Sequence, residues 1–225
     1  MNARDTVFAS IRSALAVNGQ EAPRRREVAD RLAGHPAGVV PQRGNLPPQA
    51  RLALFVKMME AAAGTVTAVA SIDEVPAAVG TFLRRYNLPL AVRRGGDEKL
   101  GGVPWSNEPA LEMSVGPSDG AQLTSVSHAF GAVAETGTLV MTASPDNPTT
   151  LNFLPDNHIV VLDAKDVSGD FETSIGKLRE KYGAGALPRV VNMITGPSRS
   201  ADIEQTLILG AHGPRRLHVV VVGEP

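Results

Sequence analysis

Residues 65–93, TVTAVASIDEVPAAVGTFLRRYNLPLAVR, decide the fold class of this 225-residue chain. The β-branched run at 65–70 predicts a buried strand, residues 71–86 predict a helix, and residues 89–93 predict a second strand. A strand, a helix and a strand in succession are typical of parallel pairing, because the chain must cross over the sheet before it can pair again. We therefore predict an α/β fold with a mostly parallel sheet and helices on its faces.

Further elements are predicted on both sides of this stretch. Helices are expected at 51–63, 166–182 and about 200–209, and strands at 138–142, 158–162, 189–195 and 217–222. The apolar segment 121–141 is interrupted by Gly131 and Gly137, so it predicts a strand, a short turn and a second strand rather than one helix.

The N-terminal fifth of the chain has a different character. Residues 5–16 place Val7, Ile11 and Leu15 on one side of a short helix, which docks either on the protein's own core or on a partner subunit. Residues 18–50 hold five prolines and five arginines, which indicates a linker. Its Arg24-Arg25-Arg26 run is either a solvated face or a contact for an acidic partner. We predict an amphipathic helix and Pro/Arg-rich linker at 1–50 and an α/β domain at 51–225.

Composition excludes several classes of function. The 22 basic and 23 acidic residues leave a net charge of −1, and aromatic residues make up 4%, so nucleic-acid binding is not expected. The chain has no cysteine, which excludes disulfides, a thiol nucleophile and cysteine-held iron–sulfur clusters within it. No apolar run is long enough to span a bilayer and no secretory signal is recognisable, so we expect a cytoplasmic protein.

One candidate site lies at Ala134-Glu135-Thr136-Gly137-Thr138. A glutamate in the otherwise uncharged stretch 126–141 is costly to bury without a partner. Glu135 is therefore a candidate catalytic residue, as nucleophile or general base, or a ligand to a substrate hydroxyl. Thr136 and Gly137 would contribute to ligand binding. The structural alternative, weighed evenly, is a glutamate that bonds the backbone amides of its own turn.

A second candidate site lies in TGPSRSADIE (195–204), between a predicted strand and a predicted helix. Backbone amides at a helix start bind anions, and the hydroxyls of Ser198 and Ser200 would add donors. Gly196 permits close approach of the backbone, and Arg199 offers a planar fork for a carboxylate or phosphate. The glycine and lysine spacing is not that of a Walker loop. Ordinary capping of the helix is expected in either case.

A third candidate is His212 in Gly210-Ala211-His212-Gly213-Pro214, just before the last predicted strand. It is either a turn residue or a histidine that lines the same cleft as Glu135 and Arg199. No spacing of histidines and carboxylates resembles a known ligand set, so we predict no metal site. All three segments follow or precede predicted strands, and the ends of strands are where α/β sheets bind ligands.

Four strings together resemble the lactate utilization protein C family, also called LutC/YkgG, with the LUD domain. They are AETGTLV (134–140), NFLPDNHIVVL (152–162), ITGPSRSADIE (194–204) and LGAHGP (209–214). The resemblance covers about residues 50–225 and implies a Rossmann-like architecture with helices on both faces of the sheet. That architecture is shared with sugar-phosphate isomerases and CoA transferases, the NagB/RpiA/CoA transferase-like fold.

The resemblance also implies a role in L-lactate use, as one of three proteins that together oxidise lactate to pyruvate. Its partners would be iron–sulfur oxidoreductase subunits, and this chain would bind a small anionic metabolite without a cofactor of its own. An alternative is a freestanding enzyme acting on a CoA thioester or phosphorylated metabolite through Glu135, whose Glu-Thr-Gly turn is somewhat similar to that of CoA transferases. A third hypothesis is a regulatory or scaffolding module that works through its N-terminal arm.

Overall fold

A computed structural model describes residues 2–183, 185–201 and 207–225. The chain divides into two compact units, Met1–Val39 and Val40–Pro225. The helices are α1 (Ala3–Ala14), α2 (Ala22–Gly34), α3 (Pro48–Ala61), α4 (Val75–Arg85), α5 (Glu98–Gly101), α6 (Thr150–Phe153) and α7 (Phe171–Tyr182). The strands are β1 (Thr65–Val69), β2 (Ala91–Arg94), β3 (Glu112–Val115), β4 (Thr124–His128), β5 (Gly131–Val133), β6 (Thr138–Thr142), β7 (Asn157–Asp163), β8 (Val167–Ser168), β9 (Val191–Ile194), β10 (Arg199–Ala201), β11 (Leu207–Leu209) and β12 (Arg216–Val222).

The main sheet has six strands in the order β1-β12-β7-β4-β2-β3, and every neighbouring pair is parallel. This arrangement confirms the predicted α/β fold with a mostly parallel sheet. The β–α–β unit of β1, α4 and β2 lies where the sequence predicted it. However, β1 and β2 are not neighbours, because β12, β7 and β4 lie between them.

The central strands β7 and β12 are buried on both faces, which is why each contains a continuous apolar run, Ile159–Leu162 in β7 and Val219–Val222 in β12. Val160 and Leu162 pack in one hydrophobic cluster with Phe55 and Met59 of α3. The alternate residues, including Ile159, pack in a second cluster with α4. Since successive strand side chains point to opposite faces, β7 and β12 each contribute to both hydrophobic clusters of the larger unit.

A second sheet of four strands, in the order β8-β5-β6-β9, was not predicted as a separate sheet. Its β5–β6 hairpin is antiparallel and turns through Ala134–Gly137, and β6 pairs antiparallel with β9. Leu139 and Met141 on β6 pack in the same cluster as α3. The face of the main sheet that carries Val160 and Leu162 is therefore covered partly by α3 and partly by the second sheet.

Two helix predictions are corrected. The helix expected at about 200–209 is wrong, because β10 and β11 pair antiparallel there, and residues 202–206 lie outside the described residues. The helix expected at 166–182 begins only at Phe171, since the side chain of Asp170 accepts a hydrogen bond from the Thr173 amide at 2.8 Å and caps it. The preceding residues Val167–Ser168 form β8 instead.

The smaller unit, Met1–Val39, contains α1 and α2, and α1 lies in the stretch where the sequence predicts a helix. Its apolar positions Val7, Ile11 and Leu15 are 57%, 47% and 59% exposed. The division into domains at residue 50, and the surface on which this helix docks, stay predictions. Among the described residues, no helix is both long and apolar enough to cross a bilayer.

Two buried histidines on the central strands make stability depend on pH. Burial lowers the pKa of His158 to about 3 and that of His218 to about 4. An unfolded histidine titrates near about 6.5, so below that pH the unfolded chain binds more protons than the folded one. Stability present above about pH 6.5 is therefore lost as the pH falls toward the folded values, by up to about 1.4 kcal/mol per pH unit for each histidine.

We expect urea unfolding to show this loss already between about pH 7 and about pH 5, above the range where carboxylates titrate. A His158→Asn variant should show a shallower dependence over the same interval. An unchanged slope in that variant would contradict the assignment of this acid sensitivity to His158.

Candidate functional site

The structure brings four of the predicted site residues together around one cavity of about 280 Å³. Gly196, Ser198, Arg199 and His212 all line it. Gly196 and Ser198 follow β9, Arg199 begins β10, and His212 precedes β12. Two segments 14 residues apart along the chain therefore meet at this cavity, as the sequence analysis expected for Arg199 and His212.

Backbone and hydroxyl hydrogen bonds of Ser198 hold these two segments together. Its amide donates to the carbonyl of Pro214 at 2.8 Å, and its carbonyl accepts from the amide of Gly210 at 3.0 Å. Its Oγ accepts from the amide of His212 at 3.4 Å. Ser198 thus positions the His212 turn against the cavity, and the backbone rather than a side chain sets the spacing.

Three polar residues that sequence reasoning did not assign complete the deep side of the site. His158 and Asn152 line the cavity, and both are buried. Ser127 bridges them, since its Oγ lies 3.1 Å from His158 Nε2 and 3.0 Å from Asn152 Oδ1. His158 Nδ1 is buried without a hydrogen-bond partner in the part of the chain described. Asn152 and His158 both belong to the string NFLPDNHIVVL, which was the available signal for them.

The cavity is rich in groups that can donate hydrogen bonds. Arg199 and His212 are exposed at its mouth, and the described lining contains no aspartate or glutamate. The low pKa of His158 keeps its ring neutral at physiological pH. Because Ser127 Oγ donates to Asn152 Oδ1, it accepts from His158 Nε2, and Nδ1 is left as an acceptor. Such a lining favours a small anion, because the guanidinium of Arg199 matches a carboxylate in both charge and geometry.

The cavity does not lie at the carboxyl ends of the parallel strands, where open α/β sheets ordinarily bind ligands. His158 and Leu217 are the second residues of β7 and β12, so the cavity opens at the amino-terminal edge of the parallel strands. Nor does a helix begin at Ser198–Ser200, because residues 199–201 form β10. The predicted helix-start cradle is therefore absent there. Ser200 lies on β10, and its side chain is outside the described part of the structure.

Glu135 is not part of the cavity lining. It lies in the β5–β6 turn with 3% of its surface exposed. Its amide donates to the carbonyl of Gly169 at 3.2 Å. The carboxylate Oε2 accepts from Arg43 Nε at 3.4 Å. The sequence analysis missed Arg43, because it lies 92 residues away in what looked like an unstructured linker.

Close backbone packing holds Arg43 in place and leaves no room beside it. A Cβ atom on Gly44 would lie 2.3 Å from the carbonyl oxygen of Gly169. The segment around Gln42–Gly44 therefore packs directly over the turn that carries Glu135. A catalytic role for Glu135 stays a prediction, and it would require this segment to move away from the carboxylate.

The Glu135 turn and the cavity are connected through threonine hydroxyls. Thr136 Oγ1 lies 2.7 Å from Thr138 Oγ1, which lies 2.6 Å from Thr195 Oγ1. Thr195 lines the cavity. Gly137, at φ +67°, approaches the backbone of Met59 on α3, where a Cβ would lie 2.5 Å from the amide nitrogen. Gly137 thus holds the turn close to α3. Thr136 is the residue of the hydroxyl chain that lies farthest from the cavity.

Comparison with known proteins identifies similar chains. The LUD domain family model matches residues 121–222. An uncharacterized protein of Neisseria meningitidis serogroup B is 32% identical over 65% of this chain and 64% of its own length. Lactate utilization protein C of Geobacillus thermodenitrificans is 36% identical over 46% of this chain and 45% of its own length. The chain thus spans about half the length of the lactate utilization relative.

A solved structure shares the fold. The crystal structure of a DUF162 family protein from Deinococcus radiodurans has a TM-score of 0.57 and 21% sequence identity, and it covers 79% of this chain and 99% of that one. Together with the family model, it confirms the Rossmann-like α/β architecture that the four strings implied.

The Arg43–Glu135 pair can be tested by a double-mutant cycle. Arg43→Met would leave a buried carboxylate without its cation and should lower the free energy of unfolding by about 1–2 kcal/mol. We set this below the cost of breaking a fully buried pair, because the Arg43 side chain is 59% exposed. In a Glu135→Gln background the same substitution should cost less than about 0.5 kcal/mol. Urea unfolding of the four proteins measures both values, and equal costs in the two backgrounds would contradict the pairing.

Proposed function

Because residues 121–222 match the LUD domain family model and the chain is similar to lactate utilization protein C, we propose that it is a non-redox component of a system that uses L-lactate. Its role there is to bind a small carboxylate, L-lactate or its oxidation product pyruvate, in the cavity beside Arg199. The observation that carries this proposal is a cavity of about 280 Å³ that has an arginine at its mouth and no carboxylate among the described lining residues.

The two ends of the cavity suit the two ends of a 2-hydroxy acid. Arg199 and the Ser198–His212 turn offer donors for the carboxylate. At the deep end, Nδ1 of neutral His158 can accept from a hydroxyl, and Nδ2 of Asn152 can donate to a hydroxyl or keto oxygen. Carboxylate recognition at one end and hydroxyl recognition at the other would select such an acid over a plain short-chain fatty acid.

The absence of cysteine in the sequence supports a non-redox role within an electron-transferring system. Iron–sulfur clusters are held mainly by cysteine thiolates, so the clusters of such a system would be carried by other chains. We propose that iron–sulfur oxidoreductase subunits are the partners of this chain, as the family resemblance implied. Several relatives are named lactate utilization protein C, and these names support a role in lactate use.

Ligand binding can be measured by calorimetric titration of the full chain with L-lactate and with pyruvate. We expect saturable binding that weakens about tenfold or more in Arg199→Gln, since a hydrogen bond to a charged group contributes about 1.5–3 kcal/mol. Arg189→Gln is the matched control, because Arg189 is exposed but does not line the cavity, and it should bind like the parent chain.

Butyrate serves as the ligand control, because it has the carboxylate without the 2-hydroxyl group. It should bind the parent chain more weakly than L-lactate does. Its affinity for an Asn152→Leu variant should be as low as its affinity for the parent chain. Equal binding of all three acids to the parent and to Arg199→Gln would refute the proposed ligand site.

The proposed partners can be tested by affinity purification of the tagged full chain from its native host grown on L-lactate. We expect co-purifying subunits with the visible absorbance of iron–sulfur clusters. A variant lacking residues 1–39 removes the smaller unit but keeps Arg43 and Gly44 in place, so it tests whether the N-terminal helix carries the contact. Lactate oxidation by the isolated chain would contradict a non-redox role.

A further inference from the structure

A second cavity, of about 430 Å³, lies at the opposite edge of the main sheet from the proposed lactate site. Its lining includes His128, the last residue of β4, and Asp97, which follows β2. Asp166, three residues after β7, and Asn147, in the loop after β6, also line it. This is the carboxyl-terminal edge of parallel strands, the edge at which open α/β sheets bind ligands.

Asn147 lines this cavity and holds a buried acceptor. Its side-chain Nδ2 donates to the carbonyls of Thr142 at 3.0 Å and His128 at 3.4 Å. Those two bonds orient the amide, so Oδ1 can only accept. Asn147 is 9% exposed, and Oδ1 is buried with no partner within the described ranges. An acceptor held in this way is costly unless another group donates to it.

Asp97 presents a second buried acceptor. Its Oδ1 accepts from the amide of Leu100 at 3.1 Å and caps α5. Its Oδ2 is buried without a partner among the residues described. The backbone here is fixed, because the amides of Gly96 and Asp97 both donate to the carbonyl of Asp146, at 2.7 and 3.1 Å. The two acceptors therefore belong to loops that are bonded to each other.

His128 supplies a third polar atom. Its Nε2 is buried, and the described residues offer it no hydrogen-bond partner. Burial lowers the pKa of His128 below its ordinary value, while the charge of Asp97 acts in the opposite direction. The ring is therefore neutral at physiological pH, and Nε2 can accept a hydrogen bond or donate one according to its tautomer.

The charges around the cavity define the kind of ligand. Asp97 and Asp166 line it with negative charge, which disfavours an anion such as lactate. Lys181 also lines it, with Nζ 5.1 Å from the ring centre of Phe130 and 5.4 Å from that of Tyr182. This ammonium offsets one of the two carboxylates, so the described lining holds charges of both signs. A neutral molecule with several hydrogen-bond donors meets no like charge and can donate to the unpartnered acceptors.

We propose that this cavity binds a neutral polyhydroxylated ligand, a sugar or the ribose of a nucleoside. Neighbouring hydroxyls donate to Asp97 Oδ2 and Asn147 Oδ1, and another hydroxyl exchanges a hydrogen bond with His128 Nε2. The site is separate from the proposed lactate cavity, which is lined by donors and lies at the other edge of the sheet.

The test is calorimetric titration of the full chain with D-ribose and, separately, with adenosine. We expect saturable binding of at least one of them, and the comparison tells a free sugar from a nucleoside. In Asp97→Asn, which keeps the helix cap but replaces a carboxylate oxygen, binding should weaken tenfold or more. Arg199→Gln, in the other cavity, should bind like the parent, and L-lactate should not compete.

His128→Gln is a second variant, which retains a polar side chain if Asp97→Asn perturbs α5. Circular dichroism verifies that each variant is folded. The proposal is overturned if neither probe binds, if both variants bind like the parent, or if Arg199→Gln alone abolishes binding. The first of these results would mean that ordered water alone satisfies the three buried atoms.

Discussion

The two-sided burial of β7 is the constraint on which the rest of the structure depends. Val160 and Leu162 belong to the core that contains α3 and the β5–β6 hairpin, and Ile159 and Val161 to the core that contains α4. A shift of one residue along this strand would exchange the two sets. His158 directly precedes Ile159 on the same strand. The register that builds both cores therefore also places the His158 ring in the wall of the candidate site.

Hydrogen bonds among the polar residues of the site explain why they are tolerated in the interior. Ser127 links the buried side chains of His158 and Asn152 by hydrogen bonds, and of these three side chains only His158 holds a buried atom, Nδ1, without a partner among the described residues. Arg199 and His212 remain exposed at its mouth. A neutral, hydrogen-bonded interior wall facing a cationic rim is an arrangement that suits an acid with a second oxygen function.

Sequence reasoning succeeded where a pattern was local and failed where it depended on distant partners. The strands around Val160 and Val220 were predictable, because a strand buried on both faces is a continuous apolar run. The β10–β11 hairpin was not, since the polar start at Ser198 resembles a helix cap. Arg43 could not be linked to Glu135 from the sequence, because nothing in a proline-rich segment indicates which turn it packs against. Asn147 Oδ1, which has no partner among the described residues, likewise could not be recognised without the two carbonyls that orient the side chain.

The most direct test of the central claim is an NMR titration of the isotope-labelled full chain with L-lactate, followed through backbone amides and side-chain signals. The account predicts saturable shifts confined to the cavity residues, namely Ser198, Arg199, the His212–Gly213 turn and the Asn152 side chain. Saturable shifts at the carboxyl-terminal edge around His128 and Asn147, or no shifts at any ligand concentration, would contradict it.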